Sequence, residues 1–278
     1  LLQYLGYEEF HFNEQQMADF YSGIKVPQLL DNQYAIIMNE KDEVVDKLYY
    51  KNNKFVPIHW KPIDNLYHGV VKPRNLEQEL AFDMLQRKNI TTKILTGTYG
   101  SFKTGAMVVH ALDEVMRGNY RKLIWVRNNF NVAGSNDVGY LAGTLQEKLW
   151  PWAGPLMDHC GGEYGLQTLI NQDKIEIVHI GFLRGRSIDD SILLCSEAQN
   201  LTISMVALLL GRIGINSQLW LEGDVHGQQD SKIFMKSRGV ETAIDVLKGN
   251  SLFGYVHLKK TERSETAQLA NLFEEYLT

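Results

Sequence analysis

Gly97, Lys103 and Thr104 stand at the spacing that lets a backbone turn, one ammonium and one hydroxyl converge on a single anion. In the pattern G-x-x-x-x-G-K-[ST], successive N–H groups curl around phosphate oxygens, the lysine neutralises charge and the hydroxyl reaches a divalent cation. The segment Gly97-Thr98-Tyr99-Gly100-Ser101-Phe102-Lys103-Thr104 fits, with Phe102 in place of the second glycine. A lysine in the first turn of a helix lies against the positive end of the helix dipole, so Lys103 asks for an anion. Phe102 weighs against this reading. If its position needs a glycine conformation, another residue there costs about 1–2 kcal/mol, and an aromatic ring competes for phosphate space. The alternative is a solvated loop between strand and helix.

Two further segments carry acids at the ends of apolar runs. Ser191-Ile192-Leu193-Leu194-Cys195 leads into Ser196-Glu197-Ala198-Gln199-Asn200, and Leu219-Trp220-Leu221 leads into Glu222-Gly223-Asp224. Open α/β sheets bind ligands at the carboxyl ends of their strands, and phosphoryl-transfer enzymes place there the carboxylates that anchor metal and polarise water. Either segment alone reads equally well as solvated acids. Both together with the loop point to one site.

These residues must be positioned by alternating elements. The pattern predicts helices near 76–86, 103–117, 144–158, 201–211, 239–248 and 264–276, and strands near 93–97, 122–127, 175–180, 191–195, 218–223 and 252–258. That order implies a mostly parallel sheet covered by helices on both faces. Residues 1–70 read differently, as a lead-in helix over Glu14–Tyr21, an antiparallel meander between Gln33 and Ile58, and a connector marked by Pro62 and Pro73. The expected division is therefore 1–70 and 71–278.

Composition sets the outer bounds. The 278 residues carry 44% hydrophobic and 22% charged side chains with a net charge of −5, ordinary for a soluble globular chain and against a uniformly basic nucleic-acid surface. No apolar run reaches the roughly 18 residues needed to cross a bilayer, and Met205–Leu210 is expected to be a buried helix. Cys160 and Cys195 lack disulfide or zinc spacing, which points to a reducing compartment and a cytoplasmic location. The absence of an initiating methionine suggests a piece of something longer.

From about Val70 to Tyr276 the chain resembles the ATPase domain of the PhoH family, a P-loop group similar to the core of superfamily 1 helicases. The resemblance is carried by Lys72-Pro73-Arg74-Asn75-Leu76-Glu77-Gln78, Thr96–Ser101, Gly139-Tyr140-Leu141, Leu145–Leu149, Arg184-Gly185-Arg186-Ser187, Glu197–Asn200, Arg212-Ile213-Gly214, Gly223-Asp224 and Glu262-Arg263-Ser264. The segment before it resembles the region that joins an N-terminal PIN nuclease to the ATPase in the longer PhoH type, with the nuclease missing. By this resemblance Gln78 reads adenine, Gly97 to Thr104 hold the phosphates of ATP, and Thr104 takes Mg²⁺ beside position 196. Glu197 and Gln199 act on the attacking water, Asp224 senses the γ-phosphate, and Arg212 or Arg263 supplies positive charge, within the chain or from a neighbour. It further implies a homo-oligomeric ring, with six subunits as the candidate number, and single-stranded RNA as the candidate partner.

Several departures fall on the chemistry. Phe102 replaces a loop glycine, Ser196 stands where the family has the metal-anchoring aspartate, Ile203 replaces a proline and Gly211 a threonine, and changes also occur at Ala142, Thr144 and Gly227. Loss of an anchoring carboxylate costs about 10–100-fold in affinity or activity. Two functions stay open: an ATPase acting on RNA, and an inactive nucleotide-binding or assembly module. Arg184 and Arg186 are candidates for phosphate, RNA or subunit contact or for a surface ion pair; Trp150 and Trp152 for base stacking or core.

Overall fold

The computed structural model describes residues 4–98, 100–127, 153–224 and 238–262. Its centre is a parallel sheet of β7 (Thr92–Gly97), β8 (Lys122–Arg127), β9 (Ile175–His179), β10 (Ser191–Ser196), β11 (Gln218–Gly223) and β12 (Phe253–Leu258), in the order β12-β7-β11-β10-β8-β9. Alternate residues bury opposite faces, as the period of two requires. Leu95, Leu123, Trp125, Leu194 and Trp220 pack toward α2 (Leu76–Gln86), α3 (Lys103–Met116), α4 (Gly154–Met157) and α5 (Gly162–Asn171). Ile94, Ile124, Leu193, Leu219 and Leu221 pack toward α6 (Ile203–Leu210) and α7 (Gly239–Leu247). Both faces are covered, as expected.

The chain leaves β7 through α3 and crosses over β11 and β10 to reach β8, while β12 returns on the other side of β7. The carboxyl end of β7 is thus a point where strand order reverses, the usual place for a ligand in an open parallel sheet. All six strands run the same way, so Gly97, Ser196, Gly223 and Leu258 come to one edge.

The N-terminal part departs from the expected lead-in and meander. Tyr7–His11 forms β1, and after α1 (Glu14–Tyr21) the chain returns as β2 (Tyr34–Met38) parallel to it. The antiparallel meander follows as expected through β3 (Val44–Lys51) and β4 (Lys54–Pro57). The connector contains a short hairpin, β5 (Ile63–Asn65) with β6 (Gly69–Val71). Helix α5 is a second addition to the expected elements. Helix α6 is only partly buried: Val206 and Leu209 face the core, whereas Ile203 is 56% exposed. The expected helix at 264–276 and most of that at 144–158 lie outside the described residues.

The four-stranded sheet shares its core with the six-stranded one. Tyr34 and Tyr49 join the apolar cluster of α2 and β12. Tyr34 donates to buried Asp83 at 2.7 Å, His59 N–H donates to the same carboxylate, and Arg87 completes it from one turn further along α2 at 2.6 Å. Among the described residues no helix is long and apolar enough to cross a membrane, and Cys160 and Cys195 are both buried.

Candidate functional site

The loop after β7 is held from behind by its neighbours. Gly97 has no room for a side chain: a Cβ there would meet the Leu258 carbonyl oxygen and Ser101 Oγ at 2.7 Å each. The Gln78 amide accepts from Arg74 N–H at 2.8 Å and donates to the Ser101 carbonyl at 3.2 Å. Gln78 is 1% exposed, so the structure assigns its polar ends to bracing the loop, and reading a base would require exchanging those bonds. From the segment after β12, Thr261 meets the Thr98 hydroxyl at 3.1 Å and Glu262 N–H donates to the Gly100 carbonyl at 3.0 Å. Tyr99 lies outside the described residues.

Phe102 adopts the conformation expected of the glycine it replaces, φ 72° and ψ 18°. Its ring does not stand alone. It lies over α3, where a Cβ on Gly105 would come within 2.2 Å of the ring, and its centroid is 6.3 Å from that of His159. The glycine missing at 102 is in effect answered by a glycine at 105, a pairing that the loop pattern itself does not signal. Lys103 folds back toward the loop, with Nζ 3.4 Å from the Thr98 carbonyl oxygen.

The acids form the second half of the site. Glu197 has a left-handed backbone, φ 53° and ψ 42°, at the start of a single 3-10 turn, Ala198–Asn200. Such strain in a non-glycine residue concentrates at functional positions. Gln199 Nε2 donates to the Glu197 carboxylate at 2.6 Å, and Gln199 Oε1 accepts from Asp224 N–H at 3.1 Å. Gly223 permits this approach, since a Cβ there would lie 2.5 Å from Gln199 Oε1. The fold therefore brings Glu197, Gln199 and Asp224 into one hydrogen-bonded run beside the loop.

Glu222 belongs to the same group. It is 2% exposed, and burial pushes its carboxyl up to about 7, against the Lys103 ammonium, which favours the charged form, as do the nearby Thr104 hydroxyl and Glu197 N–H. Its signal in the sequence was an acid one residue inside a strand end. Ser196 Oγ and Ser101 Oγ are buried without hydrogen-bond partners among the described residues.

Arginines follow a different pattern. The Arg212 carbonyl accepts from Ile188 N–H at 2.9 Å in the turns that precede β10 and β11, at the edge opposite the loop. The fold does not bring Arg212 to the loop of its own chain. Arg263 lies outside the described residues, as do Trp150 and Trp152. Arg186 forms a two-pronged ion pair with Glu176 at 2.8 and 3.3 Å, shared with Lys122. Burial alone would raise the Glu176 carboxyl, but these two cations hold it below its ordinary value. Arg184 borders a cleft of about 400 Å³ with Met205, Leu208 and Arg212.

A larger cleft of about 580 Å³ opens beside the loop, lined by His68, Lys72, Arg74, Gly100, Phe102, His159 and Glu262 among others. Its mixed apolar and charged wall suits a planar ring with a polar rim.

A parallel sheet with a glycine-bounded, lysine-bearing loop at its reversal point defines the class of P-loop nucleoside triphosphatases. The family model described as PhoH-like protein matches residues 70–274, and the chain belongs to the PhoH family. It is 29% identical to Protein PhoH2 of Bacillus subtilis over 288 residues, covering 96% of this chain and 63% of that protein. Identity to Protein PhoH2 of Thermobispora bispora is 32%, over 72% of this chain and 46% of that one. A PhoH-like protein of Bacillus subtilis is 29% identical, covering 87% of this chain and 73% of its own length. The chain thus spans less than two thirds of either PhoH2 protein.

Proposed function

We propose that this chain binds ATP with a divalent cation at the Gly97–Thr104 loop and hydrolyses it, with Glu197 orienting or deprotonating water. The observation that carries the reading is the hydrogen-bonded run from Glu197 through Gln199 to the Asp224 amide beside that loop. Lys103 and the loop amides bind the phosphates, and the 580 Å³ cleft receives the base. The oxygen donors near Thr104 and Ser196 suit a hard cation, and the buried, partnerless Ser196 hydroxyl is consistent with a ligand or its water at that point. A Mg²⁺ ion held there by Thr104 would supply positive charge that offsets the negative charge developing on the phosphates. On the same reading Asp224, tied through its amide to Gln199, registers loss of the terminal phosphate. Coupling to single-stranded RNA, assembly into a ring and charge donated by Arg212 or Arg263 of a neighbour extend the same reading on family resemblance.

Isothermal titration and phosphate release with Mg²⁺, with and without single-stranded RNA, test it. The expected result is ATP binding, slow turnover and stimulation by RNA. Glu197→Gln is expected to lower turnover by about 10²–10⁴-fold, the usual range for a general base, with ATP affinity retained. No binding at millimolar ATP would overturn the proposal. Binding without phosphate release would favour the second reading, an inactive assembly module, for which Ser196 in place of a carboxylate is the specific observation.

A further inference from the structure

The charge that Ser196 cannot supply is present one strand away. Parallel pairing sets Cys195 of β10 opposite Leu221 of β11, which makes Ser196 and Glu222 the next neighbours. On its other side Glu222 pairs with Leu95 of β7, two residues before the loop begins at Gly97. Leu194 and Trp220 both pack into the cluster on the α3 face. With side chains alternating along a strand, Ser196 and Glu222 share that face. Thr104 sits there, in the first turn of α3, and its hydroxyl and the Glu197 amide lie near enough to the Glu222 carboxylate to favour its charged form.

The position is costly without a function. A carboxylate with 2% exposure in the body of a sheet loses most of its hydration. The nearby Thr104 hydroxyl, Glu197 amide and Lys103 ammonium offset part of that loss, and a divalent cation held by the Thr104 hydroxyl would offset more. The side chain is one methylene longer than aspartate and starts one strand closer to the loop. The carboxylate removed at 196 and the carboxylate present at 222 therefore serve the same space.

We propose that Glu222 is the metal-anchoring carboxylate of this chain, acting with Thr104 in place of the acid absent from position 196. The assignment rests on the ATP-binding reading above. Its competitor is a purely structural role, in which Glu222 only balances the charge of Lys103.

The test compares wild type, Glu222→Gln and the double variant Glu222→Gln with Ser196→Asp. ATP affinity is measured by calorimetry in EDTA and in excess Mg²⁺, and Mn²⁺ retained by the protein–ATP complex is read by electron paramagnetic resonance. Thermal unfolding in EDTA, expected at or above the wild-type midpoint for Glu222→Gln, establishes that the variants are folded. Wild type is expected to bind ATP more tightly with Mg²⁺. Glu222→Gln is expected to lose about 10–100-fold of that metal-dependent gain, the size typical for groups supporting a metal, while binding in EDTA is unchanged or improved. Returning a carboxylate at 196 is expected to restore the gain and the Mn²⁺ signal. If Glu222→Gln keeps the metal dependence within about threefold, or if its loss is not rescued by Ser196→Asp, the assignment falls while the ATP reading stands. A change confined to binding in EDTA would identify the charge-balancing role and overturn it equally. If wild type binds no ATP in either buffer, the underlying reading falls and this one with it.

Discussion

At the residue scale, Phe102 shows how a departure from a motif is absorbed. The left-handed backbone persists at 102 although the glycine does not, and the ring finds its space over Gly105. The two positions should therefore be coupled. Gly105→Ala in the wild type is expected to cost about 1–3 kcal/mol, the range for forced overpacking, because the added methyl meets the ring. In a Phe102→Gly background the same change should cost close to nothing, since alanine is the better helix residue. Urea unfolding of the four proteins measures the interaction, and additive effects would show that the ring moves away freely. Loop, strand-end acids and Gly97 were legible in the sequence because their chemistry is local. Gly105 and the part played by Glu222 were not. Each matters through a neighbour, one turn along a helix or one strand across a sheet, and register cannot be read from a single strand. Ser196 reads as a loss until β11 is laid beside β10. The pairing also changes an expectation: Ser196→Asp alone would place a second carboxylate beside Glu222 rather than restore a missing one.

At the element scale, the strands and helices that alternate in sequence were legible because each buries a periodic face. The exceptions have physical reasons. β1 has a single fully buried side chain, Tyr7, and pairs with a strand beyond α1, so neither its pattern nor its partner is local. Helix α5 opens at Gly161-Gly162 and contains Gly165, residues of poor helix propensity, but a Cβ on Gly165 would lie 1.8 Å from the Cys160 carbonyl oxygen, so close packing needs the glycine. Strand β7 holds another buried surprise. Lys93 is 1% exposed, donates to the Leu85 carbonyl at 2.8 Å and lies 5.0 Å from the Trp220 ring. Burial lowers its ammonium from 10.5 to about 7, with Glu114 opposing. A cation whose folded value is depressed contributes stability that is fully present above its unfolded value and is lost as pH falls toward the folded one. Between pH 10 and pH 7 the folded state is therefore progressively penalised at this site. Lys93→Met removes that dependence, and its advantage over wild type is expected to be greater at pH 7 than at pH 10 by a few kcal/mol, on the order expected for a shift of this kind. Denaturant unfolding at the two pH values checks the sign; an equal difference at both would show that Lys93 does not titrate with folding.

At the scale of the whole molecule, the four-stranded sheet and the six-stranded sheet share buried ground. The family match begins at residue 70. Yet Asp83 of α2 is satisfied only through Tyr34, His59 and Arg87 together. Removing one partner of such a buried charge network typically costs about 3–5 kcal/mol. We expect Asp83→Ala to lower the stability of the entire chain by that amount, and calorimetry of the wild type to show one transition in which both sheets unfold. Two separate transitions, with only the first moved by Asp83→Ala, would show that the parts fold independently.

A series of hydrogen bonds links Asn32, through β12, to the loop after β7. The Asn32 amide donates to carbonyls of Asn250, Ser251 and Phe253 at the entrance to β12; at the exit, Glu77 accepts the amides of Lys259 and Lys260 before Thr261 and Glu262 reach Thr98 and Gly100. β12 is thereby clamped at both ends, like a string between bridge and nut. A shift of Thr98 or Gly100 would therefore pull on the same six-residue strand whose entrance buried Asn32 holds.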